Sequence, residues 1–174
     1  PAIVAFPLLS TDNNCLLFVS LIAKAAGAEV THVDSVKQVI TWSKENMETS
    51  GLQNIRWIVE DALKFVKREA KRGKKYNAII LDPPAYGRGA DGEKWILEDN
   101  LNEMLKVCKE ILEPKDSFLV LNLYSMGFSA LIADTLIENI FPDFFKEKQL
   151  GELFLEDKHA KKLPLGVFWR GTTL

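Results

Sequence analysis

Glu29-Val30-Thr31-His32-Val33-Asp34 is a run rich in branched residues that closes on a carboxylate, and its flanks decide the fold. The spacing before it predicts a helix over Asn14 to Ala26 that ends at Gly27. After it, a helix is expected over Ser35 to Thr49, ending near Gly51. A strand set between two helices, with glycines where helices stop, is the unit of a parallel sheet with crossover connections. The pattern continues in both directions. Further strands are expected at Ala2 to Leu9, Ile55 to Val59, Ala78 to Asp82 and Ser117 to Leu123. Helices are expected at Asp61 to Arg72 (stopping at Gly73), Leu97 to Leu112 and Ser129 to Ile140. Beyond Pro142 two strand-like segments, Gln149 to Leu155 and Leu165 to Arg170, are joined by the polar Glu156 to Pro164 without a helix, which reads as a closing hairpin. The expected class is α/β, a doubly wound, mostly parallel sheet closed by an antiparallel C-terminal hairpin.

A chain of 174 residues with 47% hydrophobic content suits one core, so residues 1–174 are expected to form a single domain. The formal charge of −2 excludes capture of nucleic acid by a globally basic surface and leaves only a local patch for that role. Cys15 and Cys108 are far apart and lack metal or redox spacing, so free thiols are expected. His32 and His159 stand outside any cluster of thiols and carboxylates, and no metal is expected. The longest apolar stretch, Cys15 to Ala23, is too short to span a bilayer, and the expectation is a soluble, cytoplasmic protein with no membrane partner. The sequence starts at Pro1 rather than Met, which suggests a fragment or a processed chain.

Ligands of open α/β sheets bind outside the carboxyl ends of the strands, where Asp34, Asp61 and Asp82 fall. Asp34 can accept both hydroxyl protons of a ribose, or it can cap the helix that opens at Ser35. Asp61 can accept from an adenine amino group, or cap the next helix. The most specific feature is Asp82-Pro83-Pro84-Ala85-Tyr86. Two prolines fix the backbone, remove two N–H donors and leave carbonyls as acceptors, which suits gripping an amino group. Asp82 and the Pro83 carbonyl can orient a planar amine while Tyr86 stacks on its ring. Alternatively, Pro-Pro simply ends a strand and Tyr86 packs into the core; the flanking Gly87 and Gly89 favour a functional loop.

These residues resemble class I S-adenosylmethionine-dependent RNA methyltransferases, a Rossmann-like family, and in particular the bacterial 23S rRNA large-subunit enzymes. The resemblance runs from about Ala25 to Arg170. It is carried by Ala26 to Asp34, Trp42 to Gly51 with Asn46, Glu60-Asp61-Ala62 and Ile79 to Gly89, with Gly151-Glu152-Leu153 and Leu163-Pro164-Leu165 in the hairpin. It implies S-adenosyl-L-methionine as cofactor and RNA, rRNA in particular, as substrate. It places Asp34 and its neighbour Ser35 on the ribose, Asp61 and Ala62 on the adenine, and Asp82, Pro83, Pro84 and Tyr86 at the methyl acceptor, with Asp82 also next to the cofactor. Family members have a glycine-rich turn after the first strand; here Ser10-Thr11-Asp12-Asn13-Asn14 stands in that place, so Ser10, Asp12 and Asn13 are the cofactor-contacting candidates. A side chain there takes space that the ligand needs, which predicts weak cofactor binding. Relatives that make 5-methylcytosine use a cysteine near the fifth strand or the Asp-Pro-Pro region. This chain has Asn122-Leu123-Tyr124-Ser125-Met126 and Ala85-Tyr86 there, so an acceptor that needs no thiol, such as a nitrogen, is expected. Relatives also place an RNA-binding domain before this one, so the chain is expected to lack an N-terminal substrate-binding domain.

Lys64, Lys67, Arg68, Lys71, Arg72 and Lys75 form a basic stripe at helical spacing, with Lys158, Lys161 and Lys162 in the hairpin loop. No aromatics interleave with them, so an ordinary solvated face is the first expectation. Trp42, Trp57, Trp95 and Trp169 are expected to pack in the core or at an edge rather than to stack on bases, and of the four only Trp95, in a polar stretch, is well placed for a partner. Two other readings stand beside the methyltransferase. A nicotinamide-dependent oxidoreductase shares an acid after the second strand but needs a Gly-x-Gly-x-x-Gly turn that is absent. A catalytically impaired binding domain would keep the fold without the cofactor turn.

Overall fold

The computed structural model describes residues 1–6, 15–88, 92, 94–124 and 127–174, with the side chains of residues 6 and 15–17 left out of the description. In chain order the elements are β1 (Ala2–Phe6), α1 (Cys15–Ala25), β2 (Glu29–Asp34), α2 (Lys37–Thr49), β3 (Arg56–Val59), α3 (Ala62–Lys71), β4 (Ala78–Leu81), β5 (Tyr86–Arg88), β6 (Lys94–Ile96), α4 (Leu97–Ile111), β7 (Phe118–Leu123), α5 (Ala130–Ile140), β8 (Glu147–Glu156) and β9 (Lys162–Thr172). The main sheet runs β3-β2-β1-β4-β7-β9-β8. Its first five strands are parallel, and β9 and β8 close it antiparallel. The doubly wound sheet with a C-terminal hairpin is therefore the fold found. Expected and observed elements agree to within a residue or two except at three places. The hairpin strands are longer than expected, β5 and β6 form a second small hairpin that periodicity did not reveal, and the end of the first expected strand, residues 7–9, lies outside the described residues.

Local chemistry explains where the helices start and stop. Asp61 caps α3 by accepting the Lys64 N–H at 2.8 Å, and Ser129 caps α5 by accepting the Ile132 N–H at 3.3 Å. Past α1, Gly27 takes φ +87°, and its neighbour's Ala28 N–H reaches back to the Ala23 carbonyl at 3.1 Å. That paired closure needs a left-handed residue, which glycine supplies without a Cβ penalty. The two faces of the sheet bury separate cores. On one face, α3, α4 and α5 pack Phe65, Val66, Leu105, Cys108 and Ile137 against Leu81, Leu119, Leu121 and Trp169. On the other, Leu21 of α1 and Met47 of α2 pack with Ile3, Ala5, Val30 and Ile80. Burial on both faces accounts for the continuous apolar composition of β1 and β4.

Candidate functional site

β1 pairs with β2 on one side and with β4 on the other, and the register sets Ala5 opposite His32 and Phe6 opposite Leu81. The carboxyl ends of the three strands are therefore level, and the connections leave in opposite directions on either side of β1. This is the topological switch point at which open α/β sheets hold ligands. Asp34 ends β2 there, and Asp82 follows β4.

Asp34 is buried, and its Oδ1 accepts the Val36 N–H at 2.6 Å. Its Oδ2 and the Ser35 hydroxyl are both buried and have no partner among the described residues. Burial pushes the Asp34 carboxyl up to about 6, and the Val36 N–H offsets part of that. The two readings of Asp34 thus divide between its oxygens: one holds the chain as it turns into α2, and the other is left unsatisfied. A buried acceptor without a donor is costly, by about 1–3 kcal/mol, which a ligand hydroxyl would relieve. Below it in β2, His32 is buried with Nδ1 at 2.8 Å from the Ser20 hydroxyl, its Nε2 unpartnered, and burial lowers it to about 4. It therefore serves as a neutral packing residue against Trp57 at physiological pH.

Asp61 and Ala62 stand at the start of α3, at the far end of the β2–β3 side. Asp61 is half-buried, and the one carboxylate oxygen used is the helix cap already described. Ala62 packs against the core beneath α3. Ser10, Asp12 and Asn13 lie outside the described residues.

In the turn after β4, Asp82, Pro83 and Pro84 are buried, while Tyr86 on β5 is 72% exposed. Tyr86 therefore does not pack into the core, and its ring is open to a partner. Burial pushes the Asp82 carboxyl up to about 7. The Tyr124 hydroxyl, just past β7, lies against the Ala85 N–H and near Asp82; burial and the Asp82 charge both raise it. Tyr124 is held from behind, because a Cβ at Gly166 on β9 would stand 2.5 Å from the Leu123 carbonyl and 3.0 Å from the Tyr124 Cβ. Only glycine allows the hairpin to close this tightly on the end of β7. Sequence reasoning missed Tyr124, although its position at the carboxyl end of a parallel strand was the available signal.

The packing expected of Trp95 is found, and the position for a partner is not. Trp95 does not face a partner: it is 8% exposed on β6, and its indole N–H donates to the Pro84 carbonyl at 2.7 Å. A polar stretch of sequence hid an aromatic that turns inward to a backbone acceptor. Of the other tryptophans, Trp169 is fully buried and Trp57 half-buried, as expected, while Trp42 is 43% exposed on α2. Most of the basic stripe is engaged within the fold, three of its six residues by carboxylates. Lys67 pairs with Glu103 at 2.6 Å, Arg68 with Glu60, Arg72 with Glu69 at 3.2 Å, and the Lys75 ammonium donates to the Glu110 carbonyl at 2.8 Å. Cys108 is fully buried in α4, and burial pushes its thiol above the ordinary range. Among the described residues no group of three or more His, Cys, Asp and Glu could hold a metal, and no helix is long and apolar enough to cross a membrane.

Comparison with known proteins agrees with this geometry. A solved S-adenosylmethionine-dependent methyltransferase from Agrobacterium tumefaciens superposes with a TM-score of 0.88 and 38% identity, over 99% of this chain and 56% of that one. The ribosomal RNA large subunit methyltransferase I of Aeromonas salmonicida is 31% identical over 65 residues, 36% of this chain and 16% of that protein. Its namesake from Erwinia tasmaniensis is 25% identical over 138 residues, 74% of this chain and 31% of that protein. The chain thus spans less than a third of these curated relatives. Residues 20–121, which carry β2 to β4, the Asp82 turn and most of β7, match the model of one family. With the fold of the class I S-adenosylmethionine-dependent methyltransferases, the chain belongs to the family described as conserved hypothetical protein 95.

Proposed function

We propose that this chain is the catalytic domain of an S-adenosylmethionine-dependent methyltransferase that acts on RNA, with ribosomal RNA as the substrate suggested by the names of its relatives. The observation that carries the reading is the pair of buried carboxyls at the level ends of β2 and β4, with Asp34 Oδ2 and Ser35 Oγ lacking partners among the described residues. These unfilled acceptors fit the ribose hydroxyls of the cofactor. Bound, the cofactor supplies an electrophilic methyl group on a sulfonium, which needs alignment more than acid or base help. Asp34 and Ser35 hold the ribose, and Asp61 and Ala62 border the adenine. Ser10, Asp12 and Asn13, which lie outside the described residues, are the candidates for contact with the methionine part.

The acceptor side is built by the Asp82 turn. Pro83 and Pro84 offer no N–H, so a substrate amine meets acceptors there, namely the Pro83 carbonyl and the Asp82 carboxyl. Tyr86, open to solvent, stacks on the acceptor base. Near neutral pH the Asp82 carboxyl, raised to about 7, is able to take up the proton that a nitrogen acceptor releases on methylation. No cysteine stands in Asp82 to Tyr86 or in Asn122 to Tyr124, which supports an acceptor that needs no covalent attack. In the whole protein a further domain before this one holds the RNA, since the stripe on α3 is largely engaged within the fold. Asp82→Ala is expected to lower turnover at least a hundredfold while changing S-adenosylhomocysteine affinity by less than about threefold. Methylation at the parent rate without this carboxylate removes it from the mechanism.

A further inference from the structure

The Asp82 to Tyr86 turn does not hold itself together, because Pro83 and Pro84 have no N–H to give. Its shape is imposed from β6 and α4, together with the Tyr124 hydroxyl that faces the Ala85 N–H from the end of β7. The Trp95 indole N–H donates to the Pro84 carbonyl at 2.7 Å, and the Leu97 N–H donates to the Ala85 carbonyl at 3.0 Å. Among the described residues nothing donates to the Pro83 carbonyl or to the Asp82 carboxyl. The β5–β6 ladder sets Trp95 opposite Gly87 and Ile96 opposite Tyr86, so the strand that carries the indole also carries the partner of Tyr86. From this we infer that Trp95 is a positioning residue of the acceptor site. It engages the Pro84 carbonyl, which leaves the Pro83 carbonyl and the Asp82 carboxyl as the turn's free acceptors, and it fixes Tyr86 relative to them.

The inference rests on the reading of this turn as the methyl-acceptor site. Its physical basis is burial: Trp95 and Pro84 are both inside, so removing the indole N–H strands a carbonyl away from water. The turn then has reason to rotate, and a free carbonyl at Pro84 competes with that at Pro83 for the acceptor's N–H. The rest of the neighbourhood stays anchored, because the Ile96 N–H is held by the Asn100 side chain at 2.8 Å and Leu97 is fully buried at the start of α4. Loss of the single hydrogen bond is therefore expected to act locally.

Trp95→Phe keeps an aromatic ring and removes the donor, and Trp95→Ala removes both. Amide hydrogen exchange, S-adenosylhomocysteine titration and transfer of labelled methyl groups to transcribed large-subunit rRNA are measured on each. In Trp95→Phe, exchange is expected to quicken about tenfold at Ala85 to Arg88 alone, in keeping with one buried hydrogen bond. Cofactor-product affinity is expected to hold within about twofold, and kcat to fall about tenfold or more with the larger loss in kcat rather than in the KM for RNA. Parent-like exchange in the turn overturns the inference, as does faster exchange spread evenly over the chain, which marks a purely structural tryptophan. If the parent chain neither binds S-adenosylhomocysteine nor transfers methyl groups, the functional reading fails, while the exchange at Ala85 to Arg88 still decides whether Trp95 sets the turn. Should Trp95→Ala not fold, the Phe variant carries the test.

Discussion

At Asp34 a single carboxyl is divided between two tasks. Its Oδ1 holds the Val36 N–H at 2.6 Å, and its buried Oδ2, without a donor among the described residues, is the oxygen proposed to take a ligand hydroxyl. Burial has raised this group to about 6, so the free protein carries it protonated below that pH and ionised above. Ribose hydroxyls prefer the ionised form, so S-adenosylhomocysteine affinity is expected to fall as the pH drops below about 6, by up to tenfold per pH unit. Asp34→Ala is expected to cost about 1.5–3 kcal/mol of binding at pH 8 and to flatten that pH dependence, as calorimetry at several pH values will show. Equal affinity in parent and variant, with only the melting temperature lowered, makes Asp34 a turn-holding residue alone. For folding the sign is opposite. The native carboxyl is protonated more readily than the unfolded one, so its contribution to stability is present below about pH 4 and is lost as the pH rises through about 6.

Whole elements were legible where periodicity is long and not where geometry is tertiary. The run Ala78–Leu81 is apolar throughout and Glu29–Asp34 is buried from Val30 onward because both faces are covered, and branched residues in such runs show that directly. The β5–β6 hairpin pairs three residues with three, too few to alternate, and its glycines read as a loop. The partner of Trp95 was not legible for a related reason: it is a backbone carbonyl, which leaves no trace in residue type. Asp61 carried a cap signature and proved to be a cap, whereas Tyr124 had no local signature at all. The β8–β9 hairpin offers a direct test of how Tyr124 is placed. Gly166 has φ +133°, and a Cβ there meets the Leu123 carbonyl at 2.5 Å. Gly166→Ala is expected to destabilise the fold by about 3 kcal/mol, from backbone strain and the clash together, when measured by urea denaturation. A change below about 0.5 kcal/mol contradicts the tight closure of the hairpin on β7.

Taken whole, the molecule is a sheet with two separately packed faces, and the candidate site lies at the carboxyl end of its parallel strands. Among the described side chains, the one thiol is placed away from that end. Cys108 is enclosed by α4 in the larger core, and no cysteine follows β4 or β7. RNA containing 5-fluorocytosine is therefore expected to form no denaturant-resistant complex with the protein. In a Cys15→Ser variant, Cys108 is expected to react with thiol reagents only at the rate of global unfolding. A trapped adduct restores a cytosine-directed mechanism and contradicts the acceptor assignment.

The central claim is that the unfilled acceptors at the ends of β2 and β4 are a site for S-adenosylmethionine. Isothermal titration of the chain with S-adenosylhomocysteine and, separately, with NAD tests it most directly, since both ligands offer a ribose and hydride transfer has no need of the Asp82-Pro83-Pro84 turn. The account predicts saturable one-site binding of S-adenosylhomocysteine, weakened by Asp34→Ala, and no binding of NAD. Saturable binding of NAD, or no heat from S-adenosylhomocysteine up to millimolar concentration, contradicts it.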